Sequence, residues 1–382
     1  MLVILRYQAQ IEIIVVGNRC HQAASGIWTP TKNARVAGRW PGRRQRELTE
    51  NQFFILQGRE KVNRIEIAKQ YLDELMHQRQ DIVAAWIAGS VARGEETAFS
   101  DIDLVLMAAG TGEINRAGLD TWREGIYIEA GLVFQQEYTD LETILHNPFK
   151  ATHMNDALIL YDPTGFVTQR QNAVRAVFMQ PQWLSKRLAF WLEQTRTTYA
   201  QFTAAIKAAD ALQLCAALGL FTFGCASIPL LRAGVTPSSS RGLALLGPIA
   251  PAVKAQLAEL EGSTTMSVAD VLALEPLLQE GIPLADAALG QLPIYFIQKT
   301  RWMAQQGQHQ EALHAMWLQM GGGVALACIA RNDPAERLIV SDLMRRWLQR
   351  THFDRPEGLT AKLHHAQAIF AQVEALVKEV EA

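Results

Sequence analysis

From about residue 62 onward, apolar and polar positions follow a helical period, then a strand period, then a helical period again. Ile65, Ala68, Tyr71, Leu72 and Leu75 recur at helical spacing and predict an amphipathic helix ending before the run IVAAWIAG. That run and the following DIDLVLMA have the length and flanks of buried strands, with a short helix, VARGEE, expected between them. TGEINRAGLDTWREG then reads as a loop with at most a short helix. IYIEAGLVF predicts a third strand, with Ile126 and Ile128 on one face and Tyr127 and Glu129 on the other. ALILYD (157–162) predicts a short fourth strand closed by Pro163 and Gly165.

Beyond Gly165 the helical period takes over. Leu184, Leu188, Trp191, Leu192, Thr195, Tyr199, Phe202 and Ile206 form one long stripe. Leu359, Leu363, Ala366, Phe370, Val373, Val377 and Val380 form another, expected to pack on a bundle rather than on a second subunit, although a homodimer stays open. LCAALGLFTFGCASIPLL (214–231) carries no charge and touches the length of a membrane span. Its glycines, proline and lack of flanking basic or aromatic belts favour a buried core helix instead, and no membrane association is expected. The triple glycine at 321–323 reads as close helix packing or a break, since no Lys-Ser/Thr follows it. GVTPSSSRG (234–242) is either an ordinary interhelical connection, which its composition favours, or a contact to nucleotide or acceptor. The expected fold is α+β: a small mixed sheet with flanking helices over 61–165, then an all-α bundle over 166–382.

The N-terminus adds little to this picture. MLVILRYQAQIEIIVV is interrupted by Arg6, Gln8, Gln10 and Glu12 and lacks the features of a signal peptide. KNARVAGRWPGRRQRE has no period, so 1–60 is expected to be a poorly structured basic extension. A net charge of -2 argues against a strong field for nucleic acid or anionic membrane. The four cysteines are scattered and form no CxxC pair, which suits reduced thiols in the cytoplasm. The histidines show no ligand spacing, so a structural zinc site is not expected.

The chemistry concentrates in AGSVARGEETAFSDIDLV (88–105). In a strand, residues i and i+2 face the same way, so Asp101 and Asp103 stand together while Ile102 and Leu104 enter the core. Two adjacent carboxylates repel unless one takes a proton or a cation sits between them. Hard oxygen ligands of this kind suit Mg²⁺, which typically shares its coordination with substrate phosphates. Gly89 allows a backbone to approach a ligand closely, and Ser90 adds a hydroxyl donor. The amides that follow offer donors to an anion, and Arg93 is placed to point back at the same phosphates.

In the order strand, Gly-Ser, short helix, polar loop, Asp-x-Asp strand, GSVARGEETAFSDIDLVL resembles the signature of the DNA polymerase β-like nucleotidyltransferases. The ARG and SDIDL wording is close to that of small bacterial members, including the aminoglycoside and minimal nucleotidyltransferases. The resemblance covers about a hundred residues, from Val62 to Asp162. It implies that Asp101 and Asp103 bind two Mg²⁺ ions together with a nucleoside triphosphate, and that Gly89 and Ser90 hold the triphosphate. It also implies a third carboxylate on a neighbouring strand. Glu129 is the candidate, because it is the one acid in an alternating apolar strand; Glu137 and Asp140 are the fallbacks.

The expected activity is therefore Mg²⁺-dependent transfer of a nucleoside monophosphate, AMP from ATP, to a hydroxyl of a small-molecule acceptor such as an aminoglycoside-like compound. A tRNA end or a protein hydroxyl as acceptor, and a catalytically silent nucleotide-binding relative, are the alternatives. The near-neutral charge gives the nucleic-acid reading little help.

Overall fold

The computed structural model describes residues 63–110, 119–285, 292–353 and 356–381. The expectations for 1–60 lie outside the described residues. The first half is a five-stranded mixed sheet of order β3-β4-β2-β1-β5, formed by β1 (Ile82–Ala88), β2 (Ile102–Ala108), β3 (Thr121–Arg123), β4 (Ile126–Phe134) and β5 (Leu158–Tyr161). β2 pairs antiparallel with β1 and parallel with β4, which puts Asp103 opposite Ala88 on one side and opposite Glu129 on the other. Helix α1 (Arg64–Gln78) covers one face, where its Ile67, Ala68, Tyr71, Leu72 and Leu75 meet Ile87, Ile102, Leu104 and Ile128. The opposite face carries Trp86, Val105 and Met107. It is covered by α3 (Leu141–His146), α4 (Pro148–Asp156) and α5 (Phe166–Val177).

Two local expectations change. The short helix after β1 is α2 (Gly89–Ala92), four residues beginning at the glycine itself, and the chain turns again at Gly94 rather than continuing through VARGEE. The end of the stretch read as loop contains β3. It pairs with β4 through a hairpin whose two central residues, Glu124 and Gly125, both have positive φ (50° and 77°). Such a turn usually advertises itself as Asn-Gly or Asp-Gly, and glutamate in the first position hid it.

The helical half begins in its packing after Phe178, somewhat beyond the change of period at 165, because α5 belongs to the sheet's second face. Its long helices are α6 (Pro181–Ala208) and α7 (Ala211–Arg232). They are followed by α8 (Gly242–Ile249), α9 (Pro251–Glu261), α10 (Val268–Leu272), α11 (Glu275–Ala285), α12 (Leu292–Gln305) and α13 (His309–Trp317). A π-helical stretch (Leu318–Ala325) leads into α14 (Leu326–Arg331), and α15 (Pro334–Arg350) and α16 (Pro356–Glu381) complete the bundle. The charge-free run is α7, buried along nearly its whole length; it and 309–331 are the two described helices long and apolar enough to span a bilayer, and both lie inside the core. They cross at backbone distance. A Cβ on Gly321 would sit 2.1 Å from the Cys215 carbonyl oxygen, and one on Gly219 would sit 2.7 Å from that of Trp317. Close packing is thus the role of Gly321, the first of the triple glycine, and the π-helical turns occur there. The C-terminal helix packs on the bundle through Ala366, Ile369, Val373 and Val377, with Phe370 stacked on Tyr199.

The two halves are interlocked. Arg187 of α6 is fully buried; it donates to the carbonyls of Leu145 (3.4 Å) and Phe178 and lies over the Phe178 ring. Phe149 of α4 meets Trp191 of α6 edge-on at 5.3 Å.

Candidate active site

Asp101, Asp103 and Glu129 converge where β1 ends and β2 begins. Each offers a carboxylate oxygen, and the three oxygens lie within 4.8 Å of one another. Parallel pairing of β2 and β4 produces this meeting, since Asp103 and Glu129 are register partners and alternation turns both to the face opposite Ile102 and Ile128. Asp101 is half-buried, whereas Asp103 and Glu129 are 4% and 1% exposed. Three acids in so dry a place are an expensive arrangement without positive charge near them. An octahedral Mg²⁺ with bonds of about 2.1 Å holds neighbouring oxygens about 3 Å apart and opposite ones about 4.2 Å apart. The spacing and the all-oxygen donor set therefore fit a hard divalent cation, and this buried triad can hold one. Glu137 and Asp140, the fallback acids, are engaged elsewhere. Glu137 pairs with Lys150 at 2.9 Å, and Asp140 caps α3 through the amides of Glu142 and Thr143.

Gly89 approaches the triad more closely than any side-chain-bearing residue allows. Its φ is +69°, and a Cβ there would lie 1.8 Å from Asp103 Oδ2. Glycine at this position is thus required twice, by the left-handed backbone and by the carboxylate beside it. Ser90 follows, half-buried, on the wall of a cleft of about 310 Å³ that also takes in Asp101 and Asp103. Arg93 lines the same cleft, but its guanidinium is held by Glu95 (2.9 Å) and Asp156 (3.3 Å) instead of standing free toward the opening.

The loop that delivers Asp101 is tied down by Arg64. This buried guanidinium donates to the carbonyls of Thr97 (2.9 Å), Ala98 (3.1 Å) and Ser100 (3.1 Å). Thr97 and Ser100 close the loop on themselves, the Thr97 amide donating to Ser100 Oγ at 2.9 Å. Nothing in the local pattern around Arg64 announces this role.

The opposite wall comes from the helical half. The 234–242 connection, between α7 and α8, is an interhelical link that also reaches the cleft with Ser238, Ser239, Ser240 and Arg241. Arg241 donates to the backbone and side chain of Glu95, both at 3.3 Å, and Thr236 donates to Asp156 at 2.6 Å, so the link is pinned to the sheet half. Helix α12 adds Lys299 and Trp302, and α13 adds Glu311, paired with Lys254 at 2.9 Å. Tyr295 of α12 stands beside the triad. Its hydroxyl is 3.1 Å from Asp101 Oδ1, and burial together with the Asp101 charge pushes its phenol pKa well above the ordinary value. The Tyr295–Asp101 pair spans 194 residues of sequence, and no spacing rule links such positions.

No protein-family model matches the chain, and no curated protein matches it. Fold and site by themselves define the class: an α+β protein with a small mixed sheet and a largely helical second half. A sheet-borne acidic triad able to hold a metal ion borders, through Asp101 and Asp103, a cleft between the two halves.

Proposed function

We propose that this chain is a Mg²⁺-dependent nucleotidyltransferase of the polymerase β-like kind, transferring AMP from ATP to a hydroxyl of a small-molecule acceptor. The observation that carries the reading is the convergence of Asp101, Asp103 and Glu129 within one acidic triad, two members of which, Asp101 and Asp103, line a cleft together with Gly89 and Ser90. Asp101, Asp103 and Glu129 would hold the metal, with room in the resemblance for two ions. Bound Mg²⁺ supplies charge neutralisation for the triphosphate and lowers the pKa of an attacking hydroxyl. Gly89 brings main-chain amides close to the same point, and Ser90 adds a hydroxyl donor for phosphate oxygens.

The wall from the helical half orients the acceptor. Ser238, Ser239 and Ser240 offer hydroxyl donors, Lys299 a cation and Trp302 an aromatic face toward the same space. A cleft closed on both sides by the chain suits a compact acceptor better than a tRNA end or a protein surface. Cys215, Cys225 and Cys328 are buried free thiols, in keeping with a cytoplasmic setting.

The test is pyrophosphate release with Mg²⁺, each of the four nucleoside triphosphates, and a panel of hydroxylated small molecules, tRNA and proteins. Turnover that disappears in Asp103→Asn supports the reading. The absence of both Asp103-dependent turnover and Mg²⁺-dependent nucleotide binding overturns it.

A further inference from the structure

We infer that Tyr295 is a positioning residue for the acidic triad, so that the metal centre is complete only when helix α12 of the helical half is docked. The inference rests on the nucleotidyltransferase reading in one respect, that Asp101 is a metal ligand.

Its basis is the hydrogen-bond capacity of a phenol. The oxygen has one proton to give and two lone pairs with which to accept. The Asp101 amide donates to it at 3.1 Å and Lys299 Nζ at 2.9 Å, which uses both lone pairs. An ammonium can only donate, so the phenol proton cannot turn toward Lys299. It is directed instead at the Phe99 carbonyl and at Asp101 Oδ1, the latter 3.1 Å away. One hydroxyl thus holds the main chain on both sides of Ser100 and the Asp101 carboxylate at once. The ring has no freedom to swing away. It is 7% exposed and stacks on Tyr127 at 5.9 Å with an interplanar angle of 20°. Tyr127 lies on β4 two residues before Glu129, so Tyr295 touches the strand of the third acid as well as the first acid itself.

Partners of this kind fix the orientation of a metal ligand, and losing one typically costs 10–100-fold in metal affinity. The probe is Mn²⁺, titrated into the full chain and followed by the electron paramagnetic resonance of the free ion. Tyr295→Phe keeps the ring and its stack on Tyr127 while removing the hydroxyl. It is expected to raise the Mn²⁺ dissociation constant about 10- to 100-fold. Thr300→Val is the matched control. Thr300 is also a buried hydroxyl on α12, donating to the carbonyls of Phe296 (3.0 Å) and Ile297 (3.1 Å), and its loss is expected to leave affinity within about twofold. If Tyr295 acts through Asp101, adding Tyr295→Phe to Asp101→Asn weakens binding no further than Asp101→Asn alone.

Wild-type affinity in Tyr295→Phe, an equal loss in Thr300→Val, or independent additive losses in the double variant each overturn the proposal. Labelling with 3-fluorotyrosine covers the case in which Tyr295→Phe disturbs folding. In the otherwise wild-type chain, stoichiometric Mn²⁺ must broaden the fluorine resonance of the tyrosine at 295, and an unaffected signal overturns the proposal. Wild-type Mn²⁺ binding that does not depend on Asp101 overturns the nucleotidyltransferase reading, and this inference with it.

Discussion

Gly89 and Gly94 form a natural pair for measuring what the triad requires of its surroundings. Their φ angles are +69° and +68°, but a Cβ on Gly94 meets nothing within 4 Å, whereas one on Gly89 lands 1.8 Å from Asp103 Oδ2. Alanine at either position bears the left-handed backbone cost of about 1–2 kcal/mol. At Gly89 alone, Asp103 must also withdraw. Ordinary contact begins at 3.4 Å, so its carboxylate has to shift by about 1.6 Å, the difference between the two distances. Leaving its rotamer for this adds about 0.5–1.5 kcal/mol. Gly89→Ala is therefore expected to destabilise the fold by about 1.5–3.5 kcal/mol, against about 1–2 kcal/mol for Gly94→Ala. Metal binding separates the two more sharply, because a ligand set needs its geometry held within about 0.5 Å. Gly89→Ala is expected to lose Mn²⁺ binding and pyrophosphate release almost completely, while Gly94→Ala keeps both. Urea denaturation gives the stabilities and Mn²⁺ titration gives the affinity. Equal Mn²⁺ affinity in the two variants would refute the claim that a bare backbone at 89 is what lets Asp103 face the metal.

Glu129→Gln removes one of three carboxylates; losing several kcal/mol of charge stabilisation lowers turnover by a factor on the order of 10³, measured as pyrophosphate release. In the absence of metal its urea midpoint is expected to match or exceed that of the wild type, because a like-charge repulsion is gone. Adding Mg²⁺ at about 100 times its dissociation constant raises wild-type stability by about 2.7 kcal/mol, and EDTA reverses this, with no response in Asp103→Asn by thermal melting. Two buried histidines give opposite pH signatures. Burial lowers His153 to about 3, so its contribution is present above the unfolded value of 6.5 and is lost as pH falls below it. Burial alone also pulls His314 down, but the Glu261 carboxylate at 2.7 Å more than offsets this and raises its pKa. That contribution is full below pH 6.5 and fades as pH rises above it. Urea midpoints from pH 5 to 9 are expected to lose their acid-side slope in His153→Phe and their alkaline-side slope in His314→Gln.

Much of the sheet half is legible because local period governs it. Alternation pairs Asp101 with Asp103 and turns Glu129 away from the core residues of its own strand without reference to anything distant, and it is the parallel pairing of β2 with β4, which no local period announces, that brings the three together. The buried nature of α7 is legible for a similar reason, since a charge-free run with glycines and a proline suits a core helix. What escapes is everything supplied from afar. Arg64 acts on a loop more than thirty residues away, and Tyr295 reaches Asp101 from the far half of the chain. The serine-rich connection shows why composition misleads: the residues that make it look like a plain turn, small hydroxylated side chains and an arginine, also suit a polar cleft wall. The β3 hairpin was hidden by one atypical turn residue.

The crossing of α7 with the helix around Gly321 has a bearing on which substitutions the bundle accepts. Most core positions of a bundle tolerate exchange of one apolar side chain for another of similar volume. Gly219 and Gly321 do not, because what they face is a main-chain carbonyl that cannot be repacked. In this chain, substitution is therefore unevenly tolerated: most of the helical surface can change side chains, whereas these two glycines about a hundred residues apart cannot gain one without moving the backbone opposite. Together with the glycine that shelters beside Asp103, they make a fingerprint that records where backbones touch.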